Sequence, residues 1–282
     1  MADEPGPWAR ARRRLSAPQA SAAYGAPGGG QSAGLSLATV LAIFALWYGV
    51  TAAGWIEPLF LPGPGAIAER FLEVAREGFG GATLWEHSLA STYRVGMAFL
   101  LALVTAVPAG ILMGMSRIVR GILDPPVEFY RPIPPLAYLP LMVIWFGIGE
   151  LTKIVVIYLA IFAPLALAAR AGVRSVPIEQ IHAAYSMGAS RWQVILHVIV
   201  PGALPEILTG LRIGLGFGWT TLVAAEIVAA QAGIGAMIQQ ASDFLVSDVV
   251  IMGIVVIGVI AYVSDLVMRA LERLLTPWKG KV

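Results

Sequence analysis

Glu226 stands in the apolar run LVAAEIVAA, and a carboxylate in such a run has to be explained. A charge at the centre of a bilayer costs about 2.5–3.5 kcal/mol on insertion scales, so it faces a bundle interior or an aqueous vestibule rather than lipid. Glu226 lies near the end of its run, where the cost is lower. Its task is either a structural ion pair or a part in a pathway. Thr221, just before that run, and Arg94 at the mouth of an earlier one are further pathway candidates. Arg212 and Asp265 sit towards the ends of their runs, where a long side chain can snorkel to water.

Other chemistry is thinly supplied. The chain contains no G-x-x-x-x-G-K-[ST] loop to cradle a triphosphate and no H-E-x-x-H. It has no cysteine, which excludes disulfides and thiolate sites, and its three histidines (His87, His182, His197) are scattered, which argues against a metal centre. Any energy the protein uses must come from a partner or an ion gradient. A net charge of +2 gives no case for nucleic acid.

The elements that position these residues belong to a membrane. The 282 residues are 58% hydrophobic and 13% charged, against about 25% charged in an ordinary soluble domain. A bilayer core takes roughly 20 apolar residues as a helix. Six segments are expected to cross: about Leu35–Gly54, Arg94–Met115, Pro135–Ile148, Lys153–Ala171, Leu208–Ala230 and Val249–Leu271. The third is short, and a buried or re-entrant segment is its alternative. Residues 1–34, with Arg12-Arg13-Arg14 and Gly28-Gly29-Gly30, lack apolar surface to bury and are expected to form a disordered cytoplasmic tail ahead of a single membrane domain over 35–282. With both termini cytoplasmic, fifteen Lys and Arg fall inside and four (Arg70, Arg76, Arg94, Lys153) outside, as the positive-inside rule asks.

Three further stretches stand out. In GAIAERFLEVAREGF, Ile67, Phe71, Val74 and Ala75 keep a helical period, which suits a helix at the outer interface, either packed on the bundle or open to a partner. Six prolines between Pro125 and Pro140 place that segment either at the cytoplasmic surface or along a pathway. Gly210, Gly214 and Gly218 recur on one face of the fifth span, a spacing that lets helix backbones approach closely.

Between the fourth and fifth spans lies an amphipathic loop, about 172–205. Ile178, Ile181, Ala184 and Tyr185 keep a helical period that Gly188 should end. A second short helix should start at Ser190 and stop at Pro201-Gly202. Tyr185, Met187, Trp192 and Ile195 are more apolar than a solvated connector requires, which argues for an interface.

At these residues the chain resembles the permease subunits of binding-protein-dependent ATP-binding-cassette importers. That family's cytoplasmic motif reads E-A-A, three residues, G, and P thirteen residues on; here His182-Ala183-Ala184, Gly188 and Pro201 stand at that spacing. His182 holds the usual Glu position, so a Glu-specific salt bridge does not carry over. The runs RGILDPPVEFYRPIPPLAYLPLMVIWFGIGE, PGALPEILTGLRIGLGFGWTTLVAAE and LTPWKG are similar to the family's taurine-importing branch, and are shared in part with permeases for aliphatic sulfonates, nitrate and bicarbonate.

The resemblance implies an all-α, type I importer permease fold with six transmembrane helices and a coupling-helix loop, in a bacterial inner membrane. It implies a second copy of the permease, two cytoplasmic ATPase subunits that bind ATP and Mg, and a periplasmic taurine-binding protein. No cofactor is expected in this chain, which is not itself an enzyme. ATPase coupling then falls to Ile181, His182, Ala183, Ala184, Tyr185, Gly188, Ala189, Arg191 and Pro201. For such a cargo, Glu226 would pair briefly with the ammonium and Arg94 would attract the sulfonate. A gradient-driven secondary transporter is the alternative from another class, although no internal repeat supports it.

Overall fold

The computed structural model describes residues 33–278. The tail expected over 1–34 lies outside the described residues up to residue 32, as do Lys279 and Lys281. The chain divides into one unit ending at Ala53 and another starting at Gly54. In the first, α1 (Ala33–Ala52) is a 20-residue apolar helix, long enough to cross a bilayer.

The second unit begins with α2 (Pro64–Glu77), whose Pro64 occupies the first turn, where its missing N–H costs nothing. Ile67 and Val74 are buried, and Arg70 Nε donates to Asp248 Oδ2 at 2.8 Å. This helix is therefore packed on the unit. Phe71 and Ala75, expected on the same apolar face, are exposed. Ile67 and Val74 alone make the buried line of contact.

Four further span-length helices follow: α3 (Leu84–Met115), α6 (Glu150–Ser175), α9 (Val200–Ala229, continuous with the helix before it) and α11 (Ser247–Leu275). Between them lie α4 (Arg117–Tyr130), α5 (Pro135–Phe146), α7 (Ile178–Ser186), α8 (Arg191–Val194) and α10 (Ile234–Asp243). The 12-residue α5 rises roughly 18 Å at 1.5 Å per residue, short of a hydrocarbon core of roughly 30 Å. It stands where the short third segment was expected.

Two boundaries differ from the sequence reading. The second span starts not at Arg94 but at Leu84, where Thr83 Oγ1 accepts from Glu86 N and Glu86 Oε2 accepts from Thr83 N in a capping box. A charge marks the edge of a span only when it faces water, and Arg94 is 3% exposed. The second difference concerns the loop. Helix does not stop at Pro201-Gly202; it runs unbroken over Arg191–Val228. A π-turn at Ile195–Ile199, in which Val200 N bonds to Ile195 O, precedes the proline and eases the clash its ring would make in a regular α-helix.

The core is a three-helix layer with α6 between α3 and α9. Ile157, Ile161, Leu165, Ala166 and Ala169 of α6 are wholly buried. Small residues make this possible. A Cβ built at Gly214 would lie 3.0 Å from Ile161 Cγ2, and one at Gly218 2.9 Å from Ile161 Cδ1; Gly210 faces Ala168 as closely, and Gly114 of α3 faces Val173. Helices in lipid gain no hydrophobic free energy from meeting, so this van der Waals fit is what holds them together. The glycine repeat of the fifth span thus lies against α6.

The proline-rich stretch is more helical than its composition suggests. Pro125 and Pro126 lie inside α4, which Ser116 caps by accepting from Val119 N at 3.3 Å. Only the elbow between α4 and α5 is irregular, and together with Tyr138, α6 and Phe217 of α9 it lines a cavity of about 450 Å³.

Candidate functional site

Two sites stand at opposite ends of α8–α9. At the N-terminal end, α7 closes with Met187 N on Ala183 O (3.1 Å) and Ala189 N on Ala184 O (3.1 Å). Gly188 follows with φ +83°, a left-handed conformation that glycine adopts without steric cost, and ends the helix as its position suggested. Ser190 then opens α8 with a second capping box: its Oγ accepts from Gln193 N while Gln193 Oε1 accepts from Ser190 N at 2.8 Å.

This protrusion has a buried root and an apolar crown. Ala184, Val194 and Ile199 belong to the main core cluster, and Ile181, Ala189 and Ile195 pack against it. Met187 is 81% exposed and Trp192 73%, with Ile178, Tyr185 and Leu196 also open. His182, Ala183 and Arg191 are exposed, so of the three motif positions only Ala184 roots the loop. Pro201 is partly buried at the start of α9. On the nearby end of α6, Arg170 pairs with Asp124 (2.5 Å) and Glu128 (3.5 Å) of α4.

At the C-terminal end a polar cluster, buried except for the half-exposed Glu150, joins α3, α6, α9 and the turn before α10. Arg94 Nη1 donates to Glu226 Oε1 at 2.5 Å and to Ala232 O at 2.7 Å; Nε and Nη2 form a fork on Glu150 at 2.6 and 2.7 Å. Glu226 also accepts from Ser91 Oγ (2.8 Å) and Gly235 N (2.7 Å), and Lys153 Nζ donates to Glu150 at 2.8 Å. Two cations thus meet two anions. Ser91 Oγ accepts in turn from Ile234 N at 2.9 Å. His87 is neutral with its proton on Nε2: Nδ1 accepts from Gly233 N at 3.0 Å and Nε2 donates to Phe79 O at 2.9 Å. Gly233 has φ +142°, and a Cβ there would come within 2.5 Å of the Glu226 carboxyl carbon.

Arg94 and Glu226, both named as pathway candidates, are paired with each other in this structure. Arg94 is no open mouth for an anion, because its donors are committed to two carboxylates and a carbonyl. Glu226 is 1% exposed and is held by Arg94, a hydroxyl and a backbone N–H. An ion pair, one of its two alternatives, is present. Thr221 is buried and has no place among these bonds. The sequence did not single out Ser91, His87, Glu150, Lys153, Gly233 or Gly235 as site residues. The Glu150–Lys153 spacing, three residues apart on a helix, was the only local signal.

The described residues thus form an all-α, multi-pass membrane protein with a helical protrusion rooted in its core. Residues 106–277 match the family described as the binding-protein-dependent transport system inner membrane component, and the chain belongs to that family. It is 57% identical over 249 residues to the taurine transport system permease protein TauC of Escherichia coli K12, covering 88% of this chain and 90% of that one. It is 33% identical to the putative aliphatic sulfonates transport permease protein SsuC of the same organism, covering 84% and 88%. Among solved structures, a chain from inward-facing conformations of the MetNI methionine ABC transporter shares the fold, with TM-score 0.61 at 20% identity over 68% of this chain and 97% of that one.

Proposed function

We propose that this chain is the permease subunit of an ATP-driven taurine importer. The observation that carries the cargo is the 57% identity with a taurine permease across 88% of the chain. In this reading two copies pair in the bacterial inner membrane with both termini in the cytoplasm, an orientation supported by the fifteen-to-four division of Lys and Arg. A periplasmic taurine-binding protein delivers cargo from outside, and two cytoplasmic ATPases bind ATP and Mg.

The mechanical half of the reading rests on the protrusion. Met187 and Trp192 offer apolar surface in water, which an ATPase groove would cover. Arg191 beside them offers a cation to an acidic partner. From Trp192 the helix continues without interruption into α9, so a displacement of the ATPase moves the span as one piece. The polar cluster then acts as a clamp on the far end of that lever, and Gly210, Gly214 and Gly218 form the seam along which it works against α6.

The test is uptake of labelled taurine into proteoliposomes holding the permease and its co-purifying ATPase, with the binding protein outside. Uptake should need ATP, Mg and loaded binding protein together, and should resist a protonophore. Accumulation without the ATPase would overturn the reading and favour a secondary transporter. A related aliphatic sulfonate cargo has support in the 33% identity to a sulfonate permease. Competition by ethanesulfonate, nitrate and bicarbonate separates these cargoes.

A further inference from the structure

A cavity of about 410 Å³ lies between α9 and α11, away from both sites described above. Its wall is mainly apolar, from Leu215 and Ile257 among others, but three polar side chains of α9 face one of α11 across it: Arg212, Trp219 and Thr220 against Asp265. Trp219 is 5% exposed, and its Nε1–H has no hydrogen-bond partner among the described residues. A buried indole N–H without an acceptor is costly, and native structures seldom leave one without a reason.

The other groups have fixed polarities. Arg212 gives Nε to Asp265 (3.0 Å) and Nη1 to Glu272 (3.2 Å), two uses of a guanidinium that carries five N–H donors. Asp265 also holds Arg269 at 2.7 Å, so two cations balance two anions at that end. Thr220 Oγ1 spends its hydrogen on Phe217 O at 2.9 Å, which leaves only lone pairs to offer. One region of the cavity therefore lacks acceptors for its donors, while its rim presents an acceptor without a donor. A simple anion would satisfy only the first and would upset the local charge balance. A small zwitterion satisfies both without disturbing the local charge balance.

We propose that this cavity is a transit subsite for a small zwitterionic sulfonate, with the Trp219 indole N–H as first donor to the sulfonate and Arg212 as the next. This rests on the taurine reading above. Trp219 and Arg212 are seven residues apart on α9, so they share a face and stand roughly 10 Å apart along the axis, with Arg212 nearer the α7–α8 end. Thr220 Oγ1 receives the ammonium at the rim. Each stop offers few contacts, which suits passage, since a pathway must release what it binds.

The experiment uses the complete importer in proteoliposomes and measures taurine taken up per ATP hydrolysed. Trp219→Phe keeps an aromatic ring and loses the donor. Replacing Trp219 by benzothienylalanine keeps the bicyclic shape as well, and decides the matter where the phenylalanine variant assembles poorly. Both should lower uptake per ATP by about tenfold, the effect of one hydrogen bond to a charged group. Wild-type stoichiometry in the benzothienylalanine protein overturns the subsite. If the unaltered importer carries no taurine, the cargo reading falls instead, so the two failures are distinguishable.

Discussion

Arg94 and Glu226, 132 positions apart, meet at 2.5 Å in a site where both are almost wholly buried. The fork from Arg94 to Glu150 extends the contact to a third helix, so one guanidinium joins α3, α6 and α9. Removing one partner of a buried pair strands the other and costs about 3–5 kcal/mol. Arg94→Met leaves the buried Glu226 without a cation, while the half-exposed Glu150 keeps Lys153, whereas Glu226→Met leaves Arg94 its fork on Glu150. The melting temperature, followed by tryptophan fluorescence in detergent, should therefore fall further for Arg94→Met. The double variant should lose less than the sum of the two. Strictly additive losses would mean that the pair is not coupled.

Gly233 holds the turn against that pair. At φ +142° with the Glu226 carboxyl at 2.5 Å, Gly233→Ala should destabilise by about 1–3 kcal/mol through strain and displacement of the ion pair. Gly258 of α11 has nothing within 4 Å of a built Cβ, so Gly258→Ala should melt no lower than the parent. Equal melting of the two variants would contradict the geometry.

The loop can be tested by backbone conformation alone. Gly188→Val puts a β-branched residue at φ +83°, at a cost of about 1–2 kcal/mol that falls on the turn between α7 and α8. Asparagine tolerates the same region, so Gly188→Asn should retain what Gly188→Val loses. In vesicles where uptake and ATP hydrolysis are measured together, the valine variant should hydrolyse ATP without proportionate uptake, or fail to hold the ATPase. Normal coupling in that variant would remove the protrusion from the mechanism.

The seam between α9 and α6 makes its own prediction. Gly214→Leu drives a side chain into Ile161, and overpacking of this kind costs about 1–3 kcal/mol. A Cβ built at Gly216, two residues past Gly214 and off the repeat's face, meets nothing within 4 Å, so Gly216→Leu starts in open space. Yield of monodisperse protein after detergent extraction should drop for the first and hold for the second. Comparable yields would show that the seam is not tightly packed.

The long helices were legible because a bilayer demands a minimum run of apolar residues and little else. The turn at Gly188 was legible because glycine past a periodic segment has one common use. By contrast, α4 escaped because Pro125-Pro126 reads as a break, although the helix carries both prolines. The start of α3 was misread because Arg94 looked like a boundary, and a lone sequence does not say which charge is neutralised by a distant partner. The same gap hid the polar cluster. Glu226 announces that it needs company, but nothing in its neighbourhood names Ser91, Arg94 or the N–H of Gly235.

The unbroken helix over Arg191–Val228 ties azimuth to sequence length. Each residue advances an α-helix by roughly 100°. One residue inserted between Trp192 and Pro201 would swing the apolar crown about a quarter of the way round relative to the glycine seam, while every side chain kept its identity. A gap along this stretch would therefore misalign the crown and the seam even where each substitution is mild, so its phase matters as well as its composition.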